Sequence, residues 1–126
     1  MKKTTSPTST AAPTDALRLA RLACRALEEK KGADIVALDV RGLSDITDFH
    51  VLVSGSSPPH LKALHGAAAH AFKQHGFKCW RKAGDPESGW MILDYGHIVV
   101  HVFLKETRDY YALEKLWASA PRLDRE

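Results

Sequence analysis

The residues best placed to carry out chemistry are the serines of the segment Ser54–Ser57, which reads SGSS. A glycine-serine loop between a predicted strand and a predicted helix can bind phosphate, because backbone N–H groups and the helix dipole converge there. Phosphoryl-transfer enzymes also need carboxylates that hold magnesium. No Asp or Glu follows this loop until Asp85. The sequence therefore favours a structural helix start, with Ser57 as the N-cap and Pro58 as the first helical residue.

The histidines do not have the spacing of a metal site. Each residue of an α-helix turns by about 100°, so a step of five residues rotates a side chain by roughly 140° and the side chains do not converge. His97 and His101 share one face of a predicted strand but lie about 13 Å apart. We therefore expect neither a metal ion nor another cofactor. The histidines that recur every five residues are His60, His65, His70 and His75.

No catalytic nucleophile is marked by its neighbours. A Cys/His or Ser/His pair formed in space stays open, but no catalytic signature surrounds any serine or either cysteine. Cys24 and Cys79 lack a CxxC partner and are interpreted as reduced core residues. The chain is therefore predicted not to be an enzyme. The acids interpreted as turn caps or interface residues are Asp39, Asp45, Asp48 and Asp94.

The composition is that of one ordinary water-soluble domain. With 126 residues, of which 44% are apolar and 26% charged, the chain can bury one core. No run of about 18 apolar residues could span a membrane, and a cytoplasmic location is expected. Residues 1–14, rich in Thr, Ser, Pro and Ala, lack the apolar core of a secretory signal and predict a disordered tail.

The positive charge does not predict a nucleic-acid-binding domain. Lys2 and Lys3 supply two of the three net positive charges, which leaves a charge of +1 for residues 15–126. A nucleic-acid domain normally has a basic stripe with interleaved aromatic residues. A small basic cluster around Trp80 is interpreted as a solvated edge strand, with RNA contact as the alternative. Its members are Lys78, Arg81 and Lys82.

The hydrophobic periodicity predicts an α/β domain in the order α-β-β-α-β-β-β-α, with a mixed five-stranded sheet flanked by helices. The domain is assigned to residues 15–120, followed by a C-terminal tail at residues 121–126. Asp15 and Thr107 are suitable N-caps for the first and last helices. The predicted elements are helix 15–31, strands 34–40 and 48–54, helix 58–76, strand 77–82, two strands within 89–103 joined by a turn at 94–97, and helix 107–120.

The strand that begins at Trp90 is apolar on both faces, so both faces must be covered. In a chain of this size, the chain itself can cover one face and a partner the other. A strand face that combines Trp, Ile and an acid has the character of an interface with an aromatic anchor and a polar rim. The alternative is that Trp90 is a core residue. The face with Trp90, Ile92 and Asp94 alternates with Met91, Leu93 and Tyr95.

The last predicted helix carries Arg108, Tyr111 and Glu114 at a spacing of three residues. This spacing places them on one side of the helix, as either a solvated face or an extension of the Trp90 strand face. The side chains predicted to face the sheet instead are Tyr110, Leu113, Leu116 and Trp117.

Five segments of the chain, taken in order, resemble the ribosomal silencing factor family, the iojap-like proteins of bacteria and organelles. Together they cover roughly residues 15–118, and the ordered set is specific although each segment alone is short. The segments are DIVALDV at 34–40, SDITD at 44–48, SGSS at 54–57, WMILDYGHIVVH at 90–101 and LEKLW at 113–117.

The resemblance implies a nucleotidyltransferase-like fold without the catalytic acids. It also implies a non-enzymatic translation repressor that binds the large ribosomal subunit through large-subunit ribosomal protein fourteen. Such a repressor blocks joining with the small subunit, often when nutrients are short, and the family also suggests homodimers. Two alternatives stay open, namely a nucleotidyltransferase-like enzyme that uses the loop Ser54–Ser57 and an RNA-binding module.

The resemblance also implies which residues contact the partner. Trp90, Ile92 and Asp94 match the partner-facing strand of the family, and four later residues extend this surface. The sequence departs from the family pattern at His50, where an apolar residue is usual, and at Ala83, where an acid is common. Both departures lie off the contact strand and bear on local packing. The candidate partner-binding residues are Trp90, Ile92, Asp94, His101, Arg108, Tyr111 and Glu114.

Overall fold

A computed structural model describes residues 13–123 of the chain, with side chains from Ala16 onward. The predictions for residues 1–12 and 124–126 lie outside the described residues. A short 3₁₀ helix occupies Pro86–Ser88. The α-helices are α1 (Pro13–Glu29), α2 (Pro58–Gln74), α3 (Lys105–Tyr111) and α4 (Leu113–Leu116). The strands are β1 (Ala33–Asp39), β2 (Phe49–Gly55), β3 (Arg81–Asp85), β4 (Trp90–Asp94) and β5 (Ile98–Leu104).

The five strands form one mixed sheet in the order β1-β2-β5-β4-β3, which confirms the predicted α/β class. β2 and β5 are parallel, whereas all other neighbouring strands are antiparallel. Parallel strands cannot be joined by a tight turn, so the chain passes through α2, β3 and β4 before it returns as β5. The predicted turn joins β4 to β5, where Tyr95 N–H donates to the Ile98 carbonyl and Gly96 has a φ of 87°.

The larger core lies between one face of the sheet and the helices α1 and α2. Alternate residues of the central strands point into it, including the fully buried Val51, Leu93 and Val102. The side chains that α2 contributes have the helical spacing predicted from the sequence. They are Leu61, Leu64, Ala68, Ala71 and Phe72.

The opposite face of the sheet carries a smaller core, against which the C-terminal helical region packs. Leu38, Leu52 and Phe103 are buried in this core, and Leu113 and Trp117 pack against them. These residues lie over β1, β2 and β5, the half of the sheet remote from β3. All five residues of β3 are exposed. Fewer side chains therefore pack over this second face near the β3 edge of the sheet.

The first helix begins earlier than predicted. It starts at Pro13, so Asp15 lies inside the helix and is not its N-cap. Proline suits the first turn of a helix because its φ is already helical and the N–H it lacks would have no intrahelical acceptor there. At the other end, Lys31 adopts a φ of 64° and Gly32 N–H donates to the Leu27 carbonyl.

The third strand lies later in the chain than predicted, at Arg81–Asp85 rather than residues 77–82. The register explains the difference, because the 3₁₀ turn between β3 and β4 sets Asp85 opposite Trp90. Gly84 enters the strand with a φ of 80°, and a Cβ there would collide with the Trp90 carbonyl. The prediction that the basic segment lies at a sheet edge is confirmed.

The last helix differs most from the prediction. It begins at Lys105 directly after β5, without a side-chain cap, so Thr107 is not its N-cap. Ala112 adopts a φ of 48° and divides the helix into α3 and α4. This left-handed residue changes the direction of α4 relative to a continuous helix, and Leu116 is 71% exposed instead of buried. Tyr110 of α3 is also exposed, at 81%, instead of facing the sheet.

Residues 121–123, predicted as the start of a C-terminal tail, pair with the outer edge of β1. Asp39 N–H donates to the Pro121 carbonyl, and Leu123 N–H donates to the Ala37 carbonyl. An antiparallel bridge joins Leu38 to Arg122 between them. This pairing satisfies backbone groups that an edge strand would otherwise expose.

Candidate protein-binding surface

The candidate surface is built on the second face of β4, where the alternation predicted from the sequence is present. Met91 and Leu93 point into the larger core, whereas Trp90 and Ile92 are half-buried on the other side. In the register of the sheet, Ile92 lies between Ala83 of β3 and His101 of β5. Because the β3 residues are exposed, the side of Ile92 that faces β3 is open to solvent.

Trp90 lies at the border of the smaller core and contacts three aromatic side chains. Its ring centroid lies 5.0 Å from that of Phe103, 6.1 Å from that of His101 and 4.8 Å from that of Tyr111. Tyr111 is 52% exposed. Trp90 and Tyr111 thus form a partly exposed aromatic pair on a buried aromatic base. We call the group Trp90, Ile92 and Tyr111 the Trp90 surface.

A chain of hydrogen bonds beneath Trp90 fixes the indole. Trp90 Nε1–H donates to Nδ1 of His101 at 3.3 Å. His101 Nδ1 is therefore an acceptor, so Nε2 carries the proton and donates to His50 Nδ1 at 3.0 Å. His50 in turn stacks on Trp117, with ring centroids 5.4 Å apart. An aromatic side chain held in this way loses little freedom when a partner binds.

Burial keeps both histidines of this chain neutral. Loss of solvation, with a smaller contribution from the neighbouring His50, lowers the pKa of His101 to about 3. Burial also lowers the pKa of His50, against a smaller opposing effect of the Asp94 charge. The departure from the family pattern at His50 is thus a half-buried, hydrogen-bonded side chain rather than a gap in the packing.

Arg108 and Glu114 form an ion pair that joins α3 to α4. The two side chains make a bidentate contact, with Arg108 Nε and Nη2 at 3.0 and 3.1 Å from the carboxylate oxygens of Glu114. Arg108 Nη1 also donates to Ser54 Oγ at 2.9 Å. The hydrogen bonds from Arg108 lower the pKa of Glu114. Arg108 is only 6% exposed and the Glu114 side chain 29%, so Tyr111 is the most accessible of the three candidates in this region.

Asp94 stabilises the turn between β4 and β5. Its Oδ1 accepts a hydrogen bond from Gly96 N–H at 2.8 Å, and its Oδ2 lies 3.8 Å from Arg81 Nη2. Asp94 is 9% exposed, whereas the Arg81 side chain is 74% exposed. The charge at the rim of the Trp90 surface is therefore an acid screened by a solvent-facing arginine.

The hydroxyl groups of the SGSS loop are used within the fold. Ser54 accepts from Arg108, and the Ser56 hydroxyl lies 3.1 Å from Nδ1 of His60. Ser57 Oγ accepts from His60 N–H at 3.3 Å, and Pro58 follows it, which confirms the predicted N-cap.

Within the described part of the chain, no three His, Cys, Asp or Glu side chains are grouped to hold a metal ion. Likewise, none of the described helices is long and apolar enough to cross a membrane.

Sequence reasoning missed several exposed apolar side chains. Leu43 and Ile46, in the loop between β1 and β2, are 49% and 84% exposed. Both are apolar residues among turn-forming Gly, Ser and Asp residues, a contrast that could have identified them. Trp80 is 53% exposed. It lies just before β3 and outside the Trp90 surface.

The fold and this surface define a small α/β domain that carries a partly exposed aromatic pair on one face of its sheet. Comparison with known proteins identifies its family. The chain belongs to the family described as ribosomal silencing factor during starvation, whose model matches residues 13–126. This match confirms the resemblance drawn from the sequence.

Individual relatives agree with this assignment. The chain is 37% identical over 108 residues to a ribosomal silencing factor of Halalkalibacterium halodurans, covering 86% of this chain and 92% of that protein. It is 33% identical over 96 residues to mouse mitochondrial assembly of ribosomal large subunit protein 1, covering 72% of this chain and 41% of that protein. A crystal structure of a Chromobacterium violaceum protein has a TM-score of 0.79 and 34% identity, covering 82% of this chain and 86% of that chain.

Proposed function

We propose that this protein represses translation by binding the large ribosomal subunit through the Trp90 surface. In this proposal the bound surface is that of large-subunit ribosomal protein fourteen. Occupation of that protein at the intersubunit face prevents the small subunit from docking. The mechanism is steric and requires no chemical step, so it needs neither a metal ion nor a cofactor.

The observation that carries the proposal is the partly exposed pair of Trp90 and Tyr111, 4.8 Å apart, beside the half-buried Ile92. Aromatic side chains at the centre of an interface typically supply most of its binding energy. The hydrogen bond from Trp90 to His101 orients the indole before binding. The names of the relatives, which refer to ribosomal silencing and to assembly of the large subunit, support a ribosomal partner.

The candidate residues take two different roles in this proposal. Trp90, Ile92 and Tyr111 contact the partner, with Asp94 at the rim. The remaining residues act from beneath, because each is buried or engaged in internal bonds. His101 holds the indole, and the bidentate pair of Arg108 and Glu114 holds the helical segment that presents Tyr111.

The proposal is tested by sedimentation of purified large subunits with the wild-type protein or with Trp90→Ala. Loss of a buried aromatic anchor is worth about 2 kcal/mol or more, so Trp90→Ala should weaken binding by roughly 30-fold or more. Trp80→Ala is the matched control, since it removes an exposed tryptophan that lies outside the Trp90 surface. The control should bind as the wild type does.

Two further measurements separate the parts of the proposal. Isolated ribosomal protein fourteen should bind the wild type and lose affinity for Trp90→Ala to the same extent as whole subunits. Small subunits added to the mixture should join large subunits less in the presence of the wild type. If folded Trp90→Ala binds large subunits as tightly as the wild type, the surface is wrongly assigned.

The proposed homodimer concerns a different part of the molecule. β3 forms the edge of the sheet with all five residues exposed, and an open strand edge can pair with a second copy. Light scattering across a concentration series measures this directly. A mass that stays at 13.9 kDa would exclude the dimer while leaving the ribosomal proposal intact.

A further inference from the structure

A concave site lies in the helical layer, on the side of the sheet opposite the Trp90 surface. A cavity of about 460 Å³ opens between α1 and the segment that follows α2. Its apolar part is formed by Leu19, Leu22 and Phe77, which pack in or against the larger core. This volume falls within the range of sites for small molecules.

The charged side chains that line this cavity are arginines. Arg18, Arg21 and Arg25 line it, and their spacing of three and four residues places them on one face of α1, over about 10 Å of helix axis. None of the described residues that line the cavity carries a carboxylate. Like charges at this helical spacing repel one another, and a bound anion would remove that repulsion.

One buried polar group that lines the cavity lacks a hydrogen-bond partner. Arg21 is half-buried, and its Nε is fully buried without a hydrogen-bond partner among the described residues. A buried guanidinium N–H without an acceptor is costly. His75 also lines the cavity, and its Nδ1 donates to the Ala71 carbonyl at 3.0 Å, which leaves Nε2 of the neutral imidazole as an acceptor. The buried Nε–H of Arg21 indicates a ligand that brings acceptor oxygens.

We propose that this cavity binds a phosphorylated nucleotide. Guanidinium groups match phosphate oxygens in bidentate geometry, so the three arginines contact the phosphates. Phe77 and the neighbouring leucines provide an apolar surface for the base. A bounded cavity suits a small ligand better than an RNA strand, which usually requires an extended basic stripe.

This inference is independent of the proposed ribosomal function and concerns a different side of the protein. The residues that line the cavity also do not include the serines of the SGSS loop, whose hydroxyls form hydrogen bonds within the fold. Binding here therefore requires neither the loop serines nor magnesium. A bound nucleotide would leave the Trp90 surface accessible.

The test is calorimetric titration of the full chain with GTP, ATP and inorganic pyrophosphate, with and without magnesium. We expect one nucleotide site with a Kd below about 1 mM. Arg21→Gln and Arg25→Gln should each weaken nucleotide binding about tenfold or more, since each removes a charge-assisted contact. Lys62→Gln, which removes an exposed charge elsewhere on the helical layer, should change the Kd less than about twofold.

Arg25 is exposed, so its variant tests the site even if Arg21→Gln fails to fold. Phe77→Leu should weaken nucleotide binding but leave pyrophosphate binding unchanged. The proposal is overturned if no nucleotide binds at about 1 mM, or if the arginine variants bind like Lys62→Gln. It is also overturned if pyrophosphate binds as tightly as GTP, or if only a short RNA oligonucleotide binds. Binding that requires magnesium and is lost in Ser56→Ala with Ser57→Ala would likewise place the ligand at the loop instead.

Discussion

The indole N–H of Trp90 donates to Nδ1 of His101 at 3.3 Å, and this contact joins a half-buried residue to a buried one. His101 is 6% exposed and passes the hydrogen bond on to His50. The direction of both bonds requires neutral imidazoles, because a protonated His101 would present N–H at Nδ1 and could not accept from the indole. The orientation of the proposed binding anchor therefore depends on the protonation state of a core histidine.

The first prediction concerns the pH dependence of stability. The folded-state pKa of His101 is lowered to about 3, so between this value and the unfolded pKa of about 6.5 the unfolded state binds more protons. His50 acts in the same direction. The free energy of unfolding should thus be greatest above pH 6.5 and fall as the pH decreases. From His101 alone the loss between pH 8 and pH 5 is about 2 kcal/mol.

Urea unfolding at intervals between pH 5 and pH 8 measures this effect. His101→Gln removes the titrating group and should give a flatter profile, although it is less stable at pH 8. His70→Gln, which changes an exposed histidine, should retain the wild-type slope. A His101→Gln profile as steep as that of the wild type would show that other groups cause the pH dependence.

The second prediction concerns the ion pair beneath Tyr111. Arg108→Met removes the donor to Glu114 and Ser54 and leaves their oxygens without that partner. Since Glu114 keeps some solvent contact and lies 3.9 Å from Arg122, we expect a loss of about 2–3 kcal/mol in unfolding free energy. Thermal or urea unfolding provides the measurement.

Lys105→Met is the control for Arg108→Met. It removes a cation from the same helix, where Lys105 lies 3.7 Å from Asp109 and both side chains are at least 70% exposed. Exposed pairs of this kind contribute less than about 0.5 kcal/mol. Equal effects of the two variants would mean that the buried pair does not stabilise the junction of α3 and α4.

The third prediction compares two neighbouring tyrosines. Tyr111 packs on Trp90, whereas Tyr110 is 81% exposed and touches the ring of Tyr111 edge-on. Tyr111→Ala should weaken binding to large subunits by about tenfold or more, because it removes part of the aromatic pair. Tyr110→Ala should weaken it clearly less. Sedimentation binding measures both, and a larger effect of Tyr110→Ala would move the interface toward the outer side of α3.

Much of the fold could be predicted because the relevant signals are local. The alternation along residues 90–95 correctly assigned Met91 and Leu93 to the larger core, and the Ser57-Pro58 pair correctly marked the start of α2. The tight turn before Ile98 was equally clear. In each case, neighbouring residues determine the structure with little influence from distant parts of the chain.

The errors arose where distant contacts or backbone geometry decide the structure. The left-handed Ala112 has no sequence signal comparable to glycine, and it separates α4, whose Leu116 is exposed, from α3. The burial of Arg108 depends on Ser54 and Glu114, of which the first is 54 residues away in sequence. Helical spacing predicted a shared face for Arg108 and Glu114 but could not predict that they bind each other.

The last prediction concerns two glycines with opposite roles. Gly84 has a φ of 80° and lies against the backbone of Trp90, where a Cβ would collide with the carbonyl oxygen. Gly84→Ala should therefore reduce the free energy of unfolding by about 1–3 kcal/mol and disturb the pairing of β3 with β4. Gly66 lies within α2, and a Cβ there would meet no atom within 4 Å. Gly66→Ala should stabilise the protein by about 0.5–1 kcal/mol.

Urea unfolding of the two variants measures the difference, and amide hydrogen exchange at Trp90 reports on the strand pairing. Faster exchange in Gly84→Ala but not in Gly66→Ala is expected, since only the first change lies in the sheet. Loss of this pairing would also shift the indole that the proposed interface depends on. Gly84→Ala should consequently bind large subunits more weakly than Gly66→Ala, and equal affinities would show that the β3 edge does not support the Trp90 surface.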